Sequence, residues 1–309
     1  MPKQYLPTIC IVALLILPLQ TLALQIPLSG NELAEMSGID AKAYAVMDTD
    51  SGEILISKNP DETKIPASLT KIVTALVVLD LKPKLSKVVS MTLGDQKIGQ
   101  CGNSGVCIKS KAGVKFTLDG LFHASLILSA NNAANALARS TGLSSSKFAE
   151  KMNEKAAALG ATSSHFNEPT GLDPSNTITA SDYSKIMAAA FDNPYLSKVA
   201  GLEKYNLKST NNSKYNQTLS NKNTLLADSD LSILGAKTGY LNESGYNFSA
   251  VLKYRNGPRL AVVILGKDHL YSAIEETKML ARLSEEARAL ATINQFTSVL
   301  GTSTLLNIY

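Results

Sequence analysis

Pro66-Ala67-Ser68-Leu69-Thr70-Lys71-Ile72-Val73-Thr74-Ala75-Leu76-Val77-Val78-Leu79 is the stretch that decides the fold. From Ile72 it meets no breaker before Pro83 and is apolar on nearly every side, the pattern of a helix buried in a core. A helix beginning near Ser68 places Lys71 one turn later on the same face. A lysine held inside such a helix loses its water, and desolvation lowers an amine's pKa. Such an amine can take the proton of Ser68, whose hydroxyl is a weak nucleophile without a base. The start of the helix also leaves N–H groups unpaired, which suits a developing oxyanion. Alone, the spacing describes equally well a surface serine and a snorkelling lysine. Ser144 and Lys147 have the same spacing.

Two further motifs follow at wide intervals. Ser129-Ala130-Asn131 lies between two helical patterns, one opened by Thr117 as a cap and running through Leu128, the next continuing from Ala133. A corner there projects a hydroxyl and an amide into a cleft; a plain Ser/Asn helix cap has the same residues. Ser29, Ser57 and Ser209 also begin Ser-x-Asn. Lys237-Thr238-Gly239 occurs once, inside the strand-like run from Ile233 to Tyr240. A second run from Tyr246 to Tyr254 reaches a third, from Leu260 to Leu265, through Asn256-Gly257, a hairpin signal. Lys237 therefore sits on a strand beside that hairpin, and Gly239 admits a close backbone approach.

Ser-x-x-Lys, Ser-x-Asn and Lys-Thr-Gly, in that order, are the signature of serine acyl-transfer enzymes that act on penicillin and on D-Ala-D-Ala peptides. Over roughly residues 38–270 the chain resembles the low-molecular-mass penicillin-binding proteins, the D-alanyl-D-alanine carboxypeptidases and their endopeptidase relatives. The likeness extends to the run from Tyr44 to Leu55, to Glu168-Pro169-Thr170-Gly171-Leu172 and to Val262-Val263-Ile264-Leu265-Gly266. The resemblance implies Ser68 as the acyl-ester nucleophile, Lys71 as its base and Ser129 as the proton relay to the leaving amine. It implies Asn131 as a ligand of the substrate amide, Lys237 for the electrostatics and Thr238 for the terminal carboxylate. Gly239 flanks the cleft, and the N–H groups of Ser68 and Tyr240 form the oxyanion hole. Lys222, before Asn223-Thr224-Leu225-Leu226, takes the place of a basic residue that helps bind the carboxylate.

The fold implied is α+β, a penicillin-binding-protein/β-lactamase-like transpeptidase fold: an antiparallel sheet flanked by helices, with a helical subdomain. The order of patterns agrees, with a hairpin, a buried helix, a helix-rich middle to about residue 200, then strands from about residue 203. The Asn/Ser/Lys-rich residues 209–223 read as a loop or edge hairpin. A helix over residues 271–294 carries an apolar stripe of Leu280, Leu283, Ala287 and Leu290.

Lys3, an apolar run over residues 9–17 and Thr21-Leu22-Ala23 read as a secretory signal over residues 1–23. There follow an N-terminal segment (24–37), the catalytic domain (38–294) and a short tail (295–309). The apolar run is short for a permanent span. Export to the periplasm or another cell-wall space follows, with no stable membrane anchor once the signal is cleaved. The formal net charge of the 309 residues is +4, and +3 without Lys3, too mild to imply a nucleic-acid partner. Cys10 falls in the signal, while Cys101 and Cys107 bracket a Gly-rich loop and can pair or remain thiols. His123, His165 and His269 are scattered, without the spacing a zinc site needs, so no metal and no cofactor are expected.

The expected activity is that of a penicillin-sensitive serine-type D-Ala-D-Ala carboxypeptidase acting on peptidoglycan stem peptides, with those peptides and β-lactam antibiotics as partners. The absence of room for a second β-rich domain after Leu270 keeps a DD-endopeptidase as the alternative. A class A-like β-lactamase shares the motifs and needs a glutamate for its deacylating water; Glu168-Pro169 lies at the corresponding place. There Gly171-Leu172 stands where that enzyme's water-holding asparagine belongs. A non-catalytic wall-binding protein is disfavoured because no motif residue is missing.

Overall fold

The computed structural model describes residues 29–103 and 105–305, with side chains as far as residue 292. The expected signal, residues 1–23, lies outside them. The chain opens with α1 (Gly30–Met36), the strands β1 (Ala43–Asp48) and β2 (Ile54–Lys58), and helix α2 (Thr70–Asp80). A mainly helical middle follows: β3 (Val88–Ser90), α3 (Leu93–Ile98), β4 (Lys115–Thr117), α4 (Leu118–Leu126), α5 (Asn131–Ser140), α6 (Ser145–Ala158), α7 (Ala180–Asp192) and α8 (Pro194–Ala200). The last part holds β5 (Lys204–Leu207), β6 (Gln217–Ser220), β7 (Leu231–Leu241), β8 (Gly245–Tyr254), β9 (Arg259–Lys267) and α9 (Leu270–Leu305).

Five strands form one antiparallel sheet in the order β2-β1-β9-β8-β7. Alternation along its central strands feeds two cores. Ala43, Ala45 and Met47 of β1 and Ala261, Val263 and Leu265 of β9 join the core made with α2, α4 and α7. Tyr44 and Val46, with Leu260, Val262 and Ile264, face the opposite core, closed by α1 and α9. A period of two with both faces covered is how a central strand comes to be apolar throughout. Burial of each Val, Leu and Ile among them contributes about 1.5–3 kcal/mol.

The α+β architecture expected from the sequence is present, with three local differences. Residues 30–36 are more than a lead-in. Ser29 caps α1 in a reciprocal box with Glu32, Ala34 is buried, and a Cβ on Gly30 would lie 2.7 Å from Ile56. The last helix does not stop near residue 294 but continues to Leu305. Residues 289–305 contain no proline, and the single Gly301 costs only about 1 kcal/mol in a helix. The Asn/Ser/Lys-rich stretch takes the second of its two expected forms, as part of the two-stranded hairpin β5–β6. At the β8–β9 turn the positive φ falls on Arg255 (+51°) and not on the Asn256-Gly257 pair. Pro258 restricts the residue before it to extended conformations, which removes the primed turn from Gly257.

Candidate active site

The buried helix predicted from residue 68 begins two residues later. Residues Ala67–Leu69 form a 3-10 turn leading into α2, and Ala67 takes φ +49°. The short turn still sets Lys71 against Ser68, with Nζ 2.8 Å from Oγ. Lys71 is fully buried, and its Nζ also donates to Thr170 O at 2.5 Å. Burial lowers its pKa to about 7, while the charge of Glu168 acts in the opposite direction. An amine poised there is partly neutral at physiological pH and can accept a proton.

Ser129 sits at the corner between α4 and α5 with φ +65°, a strained conformation for a residue with a Cβ. Its Oγ accepts a 2.7 Å hydrogen bond from Lys237 Nζ, which also donates to Thr238 O at 2.8 Å. Lys237 is buried, and its pKa lies well below the ordinary lysine value through burial first, then through Lys71 and Lys222. Asn131 opens α5; its N–H donates to Val106 O at 2.7 Å and its Nδ2 to Gly99 O at 3.3 Å. Val106 lies inside, and Gly99 just before, a loop closed by a disulfide between Cys101 and Cys107, the pairing the sequence left open.

The three motifs meet in one cleft of about 420 Å³, lined by Ser68, Ser129, Asn131, Lys222, Thr238, Gly239 and Tyr240 among others. All the residues singled out in the sequence are thus at the cleft or, like Lys71 and Lys237, directly behind it. Ser144, the competing Ser-x-x-Lys serine, is instead the N-cap of α6, and Lys147 pairs with Glu150. At Gly239 the chain's own backbone makes a close approach. A Cβ there would lie 2.7 Å from Pro66 O and 3.3 Å from Ser68 N, so the bare strand seats the turn that carries Ser68. Gly171 seats it from the other side, at φ +83° and with a hypothetical Cβ only 1.8 Å from Ala67 O.

Several supporting residues were missed. Asn247 Nδ2 donates to Ile65 O (2.9 Å) and Pro66 O (3.2 Å) and its Oδ1 accepts from Gly266 N, which fixes the approach to Ser68. Tyr183 OH donates to Leu69 O at 2.8 Å, and Thr74 Oγ1 to Pro169 O at 2.7 Å. A buried amide within the apolar run of β8 was the one available signal for Asn247. Glu168 accepts from the N–H groups of Thr170, Gly171, Leu172 and Asp173, from Thr170 Oγ1 and from Asn176 Nδ2. Its carboxylate holds the turn that brings Thr170 O to Lys71.

The family description for D-alanyl-D-alanine carboxypeptidases matches residues 31–269. The chain belongs to that family. It is 35% identical over 228 residues to the D-alanyl-D-alanine carboxypeptidase DacB2 of Mycobacterium tuberculosis, covering 73% of this chain and 74% of that protein. It is 31% identical over 233 residues to DacA of Haemophilus influenzae, covering 74% of this chain but 57% of the relative. A D-alanyl-D-alanine endopeptidase of Pseudomonas aeruginosa is also 31% identical, over 65% of this chain and 63% of its own length. Thus the chain spans less than two thirds of the length of two of these relatives. Among solved structures, a D-alanyl-D-alanine carboxypeptidase from Mycobacterium tuberculosis superposes with a TM-score of 0.68 at 31% identity, covering 77% of this chain and 89% of that one. Penicillin binding protein 5 from Haemophilus influenzae gives 0.70 at 29%, covering 78% and 70%. The fold is that of the penicillin-binding DD-peptidases.

Proposed function

We propose that this protein is a serine-type D-Ala-D-Ala carboxypeptidase that removes the terminal D-Ala of peptidoglycan stem peptides and is acylated by β-lactams. The observation that carries the reading is the buried Lys71 amine 2.8 Å from Ser68 Oγ, in one cleft with the Lys237–Ser129 pair. Ser68 Oγ gives its proton to Lys71 Nζ and attacks the carbonyl of the penultimate D-Ala. The N–H groups of Ser68 and Tyr240 hold the oxyanion. Ser129, beside Lys237, passes a proton to the leaving D-Ala amine. Thr238 and Lys222 hold the terminal carboxylate, and Asn131 the substrate amide. Water then hydrolyses the acyl ester, and neither a metal nor a cofactor is required.

The filled hydrogen-bonding capacity of Glu168 weighs against a β-lactamase, because its oxygens already serve the turn. The proposed substrate class and the signal read in residues 1–23 both support a location outside the cytoplasm, in the periplasm or wall space. The catalytic unit is residues 38–294, to which α1 adds its packing. No described helix is long and apolar enough to cross a membrane. Incubation with purified muropeptides followed by mass analysis tests the reading. Loss of one D-Ala from monomeric pentapeptides is the expected result. Conversion of dimers to monomers without that loss identifies an endopeptidase instead.

A further inference from the structure

The cleft is electrically asymmetric. Lys222 lines it near Thr238 and brings an exposed amine to that end. At the far end of β7, in the three-residue turn into β8, stands Glu243, the one acidic side chain among the cleft-lining residues. Glu243 is exposed and makes no ion pair among the described residues. The turn around it is held in place. Tyr240 OH donates to Asn242 Oδ1 at 2.8 Å, Ser244 Oγ accepts from Leu241 N, and the rings of Tyr240 and Tyr246 pack 4.4 Å apart. Tyr240 remains half exposed (49%). Glu243 and the exposed Tyr240 ring line the same cleft, and a carboxylate and an aromatic ring together suit an organic cation.

The sheet geometry says where that cation must lie on the substrate. β7 is an edge strand, with only β8 beside it in the sheet, so an extended peptide can be seated along its other side. With the terminal carboxylate at Thr238 and the reacting carbonyl at Ser68, the upstream part of the peptide runs toward the turn. From Thr238 to Leu241 is about 10 Å at a strand rise of ~3.4 Å per residue. The residue before D-Ala-D-Ala therefore falls beside Tyr240 and Leu241, and a flexible side chain from it reaches Glu243. In stem peptides that residue commonly carries a side-chain amine, free in a stem that has not accepted a cross-link and an amide in one that has.

We propose that Glu243, with Tyr240, reads the free side-chain ammonium of the residue preceding D-Ala-D-Ala, and so selects stems whose amine has not been acylated. The inference rests on the carboxypeptidase reading above and makes Glu243 a specificity-determining residue. The test compares Nα-acetyl-L-Lys-D-Ala-D-Ala with its Nα,Nε-diacetyl counterpart in two assays. One measures hydrolysis as kcat/KM; the other measures how well each peptide slows penicillin acylation of Ser68. The free amine is expected to be favoured about threefold to fivefold at low salt, the upper part of the range for an exposed ion pair, and less at high salt. Glu243→Gln should bring the ratio to about one, and Glu243→Lys should invert it. Equal treatment of both peptides by the unaltered protein, or a preference kept in Glu243→Gln, overturns the proposal. Hydrolysis of neither peptide, with the competition ratio intact, counts against carboxypeptidase activity but supports the ammonium site.

Discussion

Lys71 Nζ stands 2.8 Å from Ser68 Oγ while the same nitrogen donates to the carbonyl of Thr170, ninety-nine residues away in the chain. The amine is thereby aimed as well as desolvated. Lys71→Arg keeps a positive charge but cannot give up a proton. Second-order acylation by a fluorescent penicillin should fall by at least about a hundredfold, the lower range for loss of a general base. Ser68→Ala should abolish labelling, and peptide mapping should place the label on Ser68 in the unaltered protein. A label on Ser129 or Ser144 is the outcome that removes this assignment.

The pH dependence has a definite sign. Lys71 titrates at about 7, against 10.5 for an ordinary lysine. Only its neutral form accepts the proton of Ser68. Penicillin acylation should thus be nearly flat above about pH 8 and fall about tenfold per unit below about pH 6. A stopped-flow pH profile checks this; a rate that rises toward acid contradicts it. The same shift acts on the fold. The unfolded chain binds this proton at higher pH than the native one, so the contribution of Lys71 to stability diminishes as pH falls from about 10.5 toward 7.

Glu168 gives a prediction that separates its structural work from a catalytic one. Glu168→Gln replaces an acceptor by an amide whose NH2 meets donors, and should cost about 1–3 kcal/mol of stability. Release of bound penicillin should be slow in both proteins. Turnover of a chromogenic cephalosporin, together with a thermal melt, distinguishes the cases. Fast turnover that is lost in Glu168→Gln while acylation persists would point to a β-lactamase.

Gly171→Ala inserts a methyl group where only 1.8 Å separates it from Ala67 O, at φ +83°. The backbone of the nucleophile turn must give way. A loss of acylation of about tenfold or more, with a loss of at least about 1 kcal/mol in stability, is the expected result. The same substitution at Gly142, also at positive φ but with open space around its Cβ position, should lower stability while leaving acylation nearly intact.

The disulfide offers a milder perturbation. Replacing Cys101 and Cys107 by Ser opens a short loop and should cost about 2 kcal/mol on the chain-entropy account. Because Gly99 O and Val106 O hold Asn131, the effect should also show as weaker peptide binding. Denaturant melts and KM for a D-Ala-D-Ala peptide measure the two effects separately. An unchanged KM would show that the Asn131 contacts hold without the bridge.

The part of the site that was readable in the sequence is the part encoded locally. Ser68 and Lys71 are three residues apart, so helical spacing alone predicts their contact, and an apolar run announces that the helix is buried. The strand carrying Lys237 and the apolar run of β9 were legible for the same reason. What could not be read depends on distant partners. Asn247 fixes Ile65 O across 182 residues and Tyr183 holds Leu69 O across 114. No periodicity marks such pairs. The wall of the cleft between Gly99 and Val106 escaped too, because its shape is set by a bridge whose closure spacing alone does not decide. The last helix was underestimated because it runs on past the residues it packs, through a segment whose composition neither requires nor forbids a helix.

The strand order has a consequence for the life of the chain before it is complete. β1 lies against β9, so the first long strand waits for the last one, and the pairing spans more than two hundred residues. A chain released early holds its serine and its lysine but has no Lys-Thr-Gly edge to face them. Such long-range closure is slow relative to helix formation. The appearance of penicillin-labelled protein during synthesis or refolding therefore times the closing of the sheet, and a labelled fragment ending before residue 259 should not occur.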